Sequence, residues 1–157
     1  MEVMDVTRTI ILLLHPLLGV FMLYWILKQH GWRSRGRSLK GKQRDEARDS
    51  HEKWGRRFLP AAIVVVTIAF AAQILRGVID GVGWNSYLTP SVHGIFGILG
   101  LGLLLIMTNM GKKASTARKQ GEKWSKLKTT HGRAADIVVI LALLHGFIGF
   151  LYIFEVL

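Results

Sequence analysis

Four stretches of this 157-residue chain are apolar for about the thickness of a lipid bilayer, and that sets what it can fold into. They cover about residues 7–27, 58–79, 92–110 and 134–154. At about 1.5 Å per helical residue each spans about 28–33 Å, against a hydrocarbon core of about 30 Å. Half of all residues are hydrophobic, too many for an ordinary soluble domain. The expected architecture is one all-α domain, 1–157: an integral membrane four-helix up-down bundle with no soluble module.

The formal net charge of +11 does not point to nucleic acid, because the charge is confined to two connections. Lys28 to Arg57 holds eleven Lys/Arg and Lys112 to Arg133 holds eight, nineteen of the twenty-one in the chain. The connection 78–91 has none. Such bias marks the cytoplasmic side, so both termini and 78–91 are expected outside and both basic loops inside. The loops are expected to be solvated, in part helical, and able to meet anionic headgroups or an acidic partner. The first span is not expected to be a signal peptide. It is long, contains His15 and Pro16, follows acidic Glu2 and Asp5, and lacks a small-residue cleavage site. The expected location is a bacterial inner or photosynthetic membrane, crossed several times.

Five of the six histidines lie in or at the mouth of these spans, each with a small residue four positions on. The pairs are His15/Gly19, His51/Gly55, His93/Gly97, His131/Ala135 and His145/Gly149. Positions i and i+4 share a helix face, so each imidazole projects beside cleared space. Intramembrane histidines are costly and usually functional. Repeated with a gap on every helix, they point to a large flat ligand whose iron they hold, a haem. The chain has no cysteine, which excludes disulfides, cysteine-ligated iron–sulfur clusters and covalent c-type haem. Two non-covalent b-type haems are expected.

In the expected topology His15 and His93 fall in the outer half and His51 and His131 in the inner half. Neighbouring helices pack about 8–10 Å apart, too close for two imidazoles with a porphyrin between them. Diagonal helices give more room, which favours the pairs His15–His93 and His51–His131. A rival pairing comes from depth. His15 lies about 20 Å from the inner boundary, His145 about 18 Å and His93 about 28 Å. His131 and His145 are also fourteen residues apart, 40° short of four turns at 100° per residue. One helix carrying two ligands at that spacing is the pattern of the respiratory cytochrome b subunit. Helix tilt absorbs several ångströms of level difference, and the diagonal pairing is preferred.

The motifs H-P-L-L-G at 15–19, S-H-E-K-W-G at 50–55, Y-L-T-P-S-V-H-G-I-F-G-I-L at 87–99 and H-G-R-A-A-D at 131–136 resemble the cytochrome b561 superfamily. The likeness touches all four spans, through short motifs and their order, and is greatest to small bacterial four-helix relatives. It implies a two-haem module with His15, His51, His93 and His131 as ligands, paired between alternate helices. It also implies electron transfer across a membrane. The two flanking helices of the eukaryotic form are missing, so the family's substrates do not carry over.

Other residues have competing uses. Arg56, Arg57 and Arg133 lie within two turns of the inner histidines, where they would meet haem propionates or simply anchor the inner face. Arg76 and Asp80 form a helix pair, or Arg76 serves an outer propionate. Asp136 offsets Arg133 or moves protons. His145 could ligate the outer haem, bond a propionate, line a quinol or proton site, or bond a neighbouring helix. His30 is expected to be solvated. Trp32, Trp54, Trp84 and Trp124 are expected as aromatic-belt anchors. Gly94, Gly97, Gly100 and Gly102 lack phosphate-loop spacing and read as close packing or haem clearance.

The expected function is a dihaem b-type cytochrome passing electrons between quinol, or a small reductant, and a redox partner. It acts alone or as the membrane subunit of a larger oxidoreductase. The alternative from another class is a haem-free scaffold or assembly subunit whose histidines bond between helices. A small transporter using the histidines as transient metal ligands is the third.

Overall fold

The computed structural model describes residues 2–156, with side chains for 6–154. The side chains of Glu2 and Asp5, invoked above, lie outside the described residues. The regular elements among the described residues are all helices: α1 Glu2–His30, α2 Trp32–Ser38, α3 Gly41–Ile79, α4 Val92–Lys119 and α5 Ser125–Val156. Four helices are long and apolar enough to cross a membrane. Only 6–11 % of their apolar windows is buried inside the protein, and residues such as Leu17, Val20, Leu99 and Phe147 point outward. An outward apolar surface of this extent needs lipid around it. The multi-pass membrane fold follows from that.

The helices run well past the spans read from sequence. At 39 residues α3 is about 58 Å long, nearly twice the hydrocarbon thickness. Its N-terminal part is the charged run 41–57, which stays helical because it is rich in Lys, Arg, Glu and Gln and contains no Pro. It also carries helix-spaced ion pairs, Lys42–Glu46 at 3.8 Å, Asp45–Arg48 at 2.9 Å and Glu52–Arg56 at 3.7 Å. Most of the expected basic loops is therefore helix, and the bundle extends beyond its apolar belt at this basic end. Pro16 and Pro60 lie inside α1 and α3, each removing one backbone donor without ending its helix.

Local signals set the ends. Ser91 caps α4, its Oγ accepting from Gly94 N at 3.0 Å. Gly121, at φ +74°, ends the same helix, with Glu122 N donating to Ala117 O at 2.9 Å. After α3 the chain folds back so closely that a side chain on Gly77 would strike the Gly83 carbonyl; only glycine fits there.

Helix α1 packs against α3 and α5, and α4 packs against the same two, closing a ring. Among the described residues no backbone contact joins α1 to α4 or α3 to α5, so these are the two diagonals. An apolar core of Ile26, Phe58, Leu104, Val138 and Val139 fills the middle, supported by Trp25, Leu59, Leu101 and Met107. Along the helices it lies between two groups of histidines, one at each end of the bundle.

Candidate functional site

At the basic end, His51 of α3 and His131 of α5 face each other across a diagonal. Their ring centroids are 6.4 Å apart and their planes 74° from parallel. His131 Nδ1 lies 3.0 Å from Met107 O. A carbonyl can only accept, so Nδ1 carries the proton and Nε2 keeps its lone pair. Gly111 makes this seat possible, because a Cβ there would stand 3.1 Å from His131 Cε1. His51 has a different support. The Trp32 indole stacks on it at 5.7 Å and 21°, and its Nδ1 is buried with no hydrogen-bond partner.

Both rings line a cavity of about 480 Å³, which also reaches Gly55 and Ala135, the small residues one turn beyond each histidine. A Cβ on Gly55 would meet nothing within 4 Å. Arg33, Arg37, Arg44, Arg48, Arg56 and Arg118 supply much of the polar wall. Of the arginines proposed for propionates, Arg56 lines this cavity. Arg57 instead lies over the Trp54 ring at 5.2 Å, and Arg133 is exposed and does not line it. Two imidazoles each about 2 Å from a shared metal have centroids about 6 Å apart. The opposed pair, a volume in the range of small-molecule sites, an orphaned Nδ1 and permanent cations for carboxylates fit a bis-histidine haem.

Several residues at this end were not singled out from the sequence, or were read differently. Glu52 accepts from Ser115 Oγ at 2.6 Å and Arg118 Nη2 at 3.3 Å, tying α3 to α4 and positioning Arg118 on the cavity wall. The signal was a polar stripe, Thr108, Gly111, Ser115 and Arg118, continuing one face of α4 past its apolar part. His30, expected to be solvated, lies on the cavity wall with Nε2 2.8 Å from Asp136 Oδ1. Arg33 Nη1 donates to the same carboxylate at 3.0 Å, so Asp136 joins α5 to the α1–α2 junction rather than offsetting Arg133. Trp32, expected as a belt anchor, is turned inward because Gly36 gives its ring room to lie against α2. A second cavity of about 470 Å³ shares Trp32 and His51 and is walled by Phe21, Tyr24, Trp25 and Trp54.

The far end brings three histidines together. His15 stands 6.0 Å from His93 and 6.4 Å from His145, edge-on to both. The two pairings that compete in the sequence are thus equally close. His93 and His145 stack at 3.8 Å and 20°. The Nδ1 of each lies about one hydrogen bond from the other's carbonyl, 3.1 Å for His93 and 3.0 Å for His145. Each ring occupies the notch of the glycine one turn beyond its partner: a Cβ on Gly97 would stand 3.0 Å from His145, and one on Gly149 2.6 Å from His93. The space at Gly97 and Gly149 is therefore taken by histidine rings. One ring nitrogen from each of the three lies within 4.8 Å of the others, and His15 Nδ1 is buried without a partner.

Arg76 is committed elsewhere. It lies 3.9 Å over the Tyr87 ring and 3.6 Å from Asp80, which also takes Arg8 at 3.3 Å and the Tyr87 hydroxyl at 2.8 Å. No family model, curated protein or solved structure matches the chain.

Proposed function

We propose that this protein is a b-type haem electron carrier of a membrane. The observation that carries the reading is the opposed pair His51 and His131 across an arginine-lined cavity of about 480 Å³. When bound there, haem supplies a one-electron iron couple, tuned by its axial ligands and by burial. His131 is held in the ligating tautomer by Met107 O, and Trp32 keeps the His51 plane fixed. Arg56 and Arg118, braced by Glu52, would pair with the propionates. The apolar core separates this station from the histidines of the far end, about 21 Å away along α5 from His131 to His145. That layout suits a path with a station near each face of the membrane. The aromatic cavity beside Trp32 is the place for a quinol-type headgroup, and the basic helix ends are the surface for a redox partner. By the distribution of Lys and Arg, the basic end faces the cytoplasm.

The reduced-minus-oxidised spectrum of detergent-purified protein, with pyridine haemochrome quantitation, tests the reading. A sharp b-type α-band that disappears in His51→Ala and in His131→Ala is the expected result. No haem in protein produced with ample haem supply overturns it. That outcome leaves a membrane scaffold, the reading favoured by the mutual bonds of His93 and His145.

A further inference from the structure

We propose that His15, His93 and His145 form a binding site for a single copper(I) ion, distinct from the haem site at the basic end. The inference stands on the far-end geometry alone and does not depend on the haem reading.

Three features converge. The donor set comes from three helices, α1, α4 and α5, with one ring nitrogen of each within 4.8 Å of the others. Three nitrogens about 2 Å from one ion stand about 3.5 Å apart, so small side-chain rotations close the cluster. His93 and His145 are already oriented as ligands usually are, each giving its Nδ1–H to a backbone carbonyl and keeping Nε2 unprotonated. His15 brings a buried nitrogen that no protein group satisfies.

The arrangement suits a bare ion better than a second macrocycle. A porphyrin takes one imidazole on each face. Here the His145 ring stands beside that of His93 at nearly the same distance from His15. Seating a porphyrin between His15 and His93 would push His145 out and break its bond to the His93 carbonyl. An ion uses all three rings where they are.

Charge selects among ions. The ligands are three neutral imidazoles with no carboxylate in the cluster, and Asp80 is already engaged by Arg8, Arg76 and Tyr87. Burying uncompensated charge in a low-dielectric region is expensive, and the cost grows with the square of the charge. A monovalent ion is therefore favoured over a divalent one, and imidazole nitrogen is a good donor to copper.

The experiment uses purified full-length protein in detergent, handled anaerobically. Copper(I) is titrated against bicinchoninate, and X-ray absorption reads the ligand shell. One tightly bound copper per chain with a nitrogen-only shell is expected. Occupancy should fall at least tenfold in His15→Ala and His145→Gln and be unchanged in His51→Ala. The Gln variant keeps a donor to the His93 carbonyl, so loss of copper there with an unchanged elution profile reports ligation rather than misfolding. Three results overturn the proposal: no competition with bicinchoninate, zinc retained in preference to copper, or two haems per chain with one lost in His15→Ala. Haem at the basic end is counted separately, so either proposal can fail while the other stands.

Discussion

His93 and His145 hold each other by the main chain: each imidazole bonds the backbone carbonyl of the other, at 3.1 and 3.0 Å, and each ring fills the notch of the other's glycine. The two-fold exchange locks α4 to α5 at one register. Both imidazoles are half-buried, and one helix register satisfies the two together.

Breaking this clasp should show as two separable losses. His93→Phe and His145→Phe each remove one interhelical bond, and in lipid such bonds are worth about 0.6–1.7 kcal/mol. Each bond runs to a main-chain carbonyl that the other substitution leaves in place, so the double variant should lose about the sum of the singles. Reversible unfolding in mixed detergent gives the three losses; single variants as stable as the parent would count against the clasp.

The glycine seats predict a contrast within one helix face pattern. Gly149→Ala places a methyl 2.6 Å from His93 Cε1 and should cost about 1–3 kcal/mol. Gly100→Ala meets nothing within 4 Å and should be neutral or stabilise by up to about 1 kcal/mol through helix propensity. Thermal unfolding of the two variants side by side checks this.

At the basic end, Glu52→Ala leaves Ser115 and Arg118 without their acceptor and frees Arg118 from the cavity wall. A loss of about 1–2 kcal/mol is expected. On the proposed haem reading, haem should be retained but bound more loosely, read as faster transfer to apomyoglobin. Glu52→Gln keeps the Ser115 bond and should sit between the two.

Trp32 is a positioning residue for His51. On the proposed haem reading, Trp32→Leu removes the stacked ring and should broaden the low-temperature haem spectrum, as the His51 plane gains freedom. Trp32→Phe should restore most of the sharpness. Equal spectra in all three proteins would mean that the stacking does not orient the ligand.

Orientation can be tested directly because the chain contains no cysteine. In intact cells, a membrane-impermeant maleimide should label Asn85→Cys, in the connection without basic residues. It should label Gln120→Cys, beyond α4, only after permeabilisation. The reverse pattern would overturn the positive-inside assignment.

The sequence by itself determined the all-α fold and its four membrane-length helices, because apolar length is a local property that lipid reads directly. It also picked out the histidines and the glycines beside them, since i, i+4 spacing needs no tertiary knowledge. It did not show where the helices stop, because the charged run 41–57 looks like loop by polarity and is helix by propensity and ion pairing. Only the packed bundle decided which ring meets which glycine. Gly55 opens onto a cavity, whereas Gly97 and Gly149 are filled from the neighbouring helix. Nor could spacing along one helix reveal that Trp32 turns inward onto His51, that His30 and Arg33 share Asp136, or that His145 reaches His15 and His93 together. Those contacts depend on the rotation of each helix about its axis, which is set by the side chains of its neighbours and not by its own.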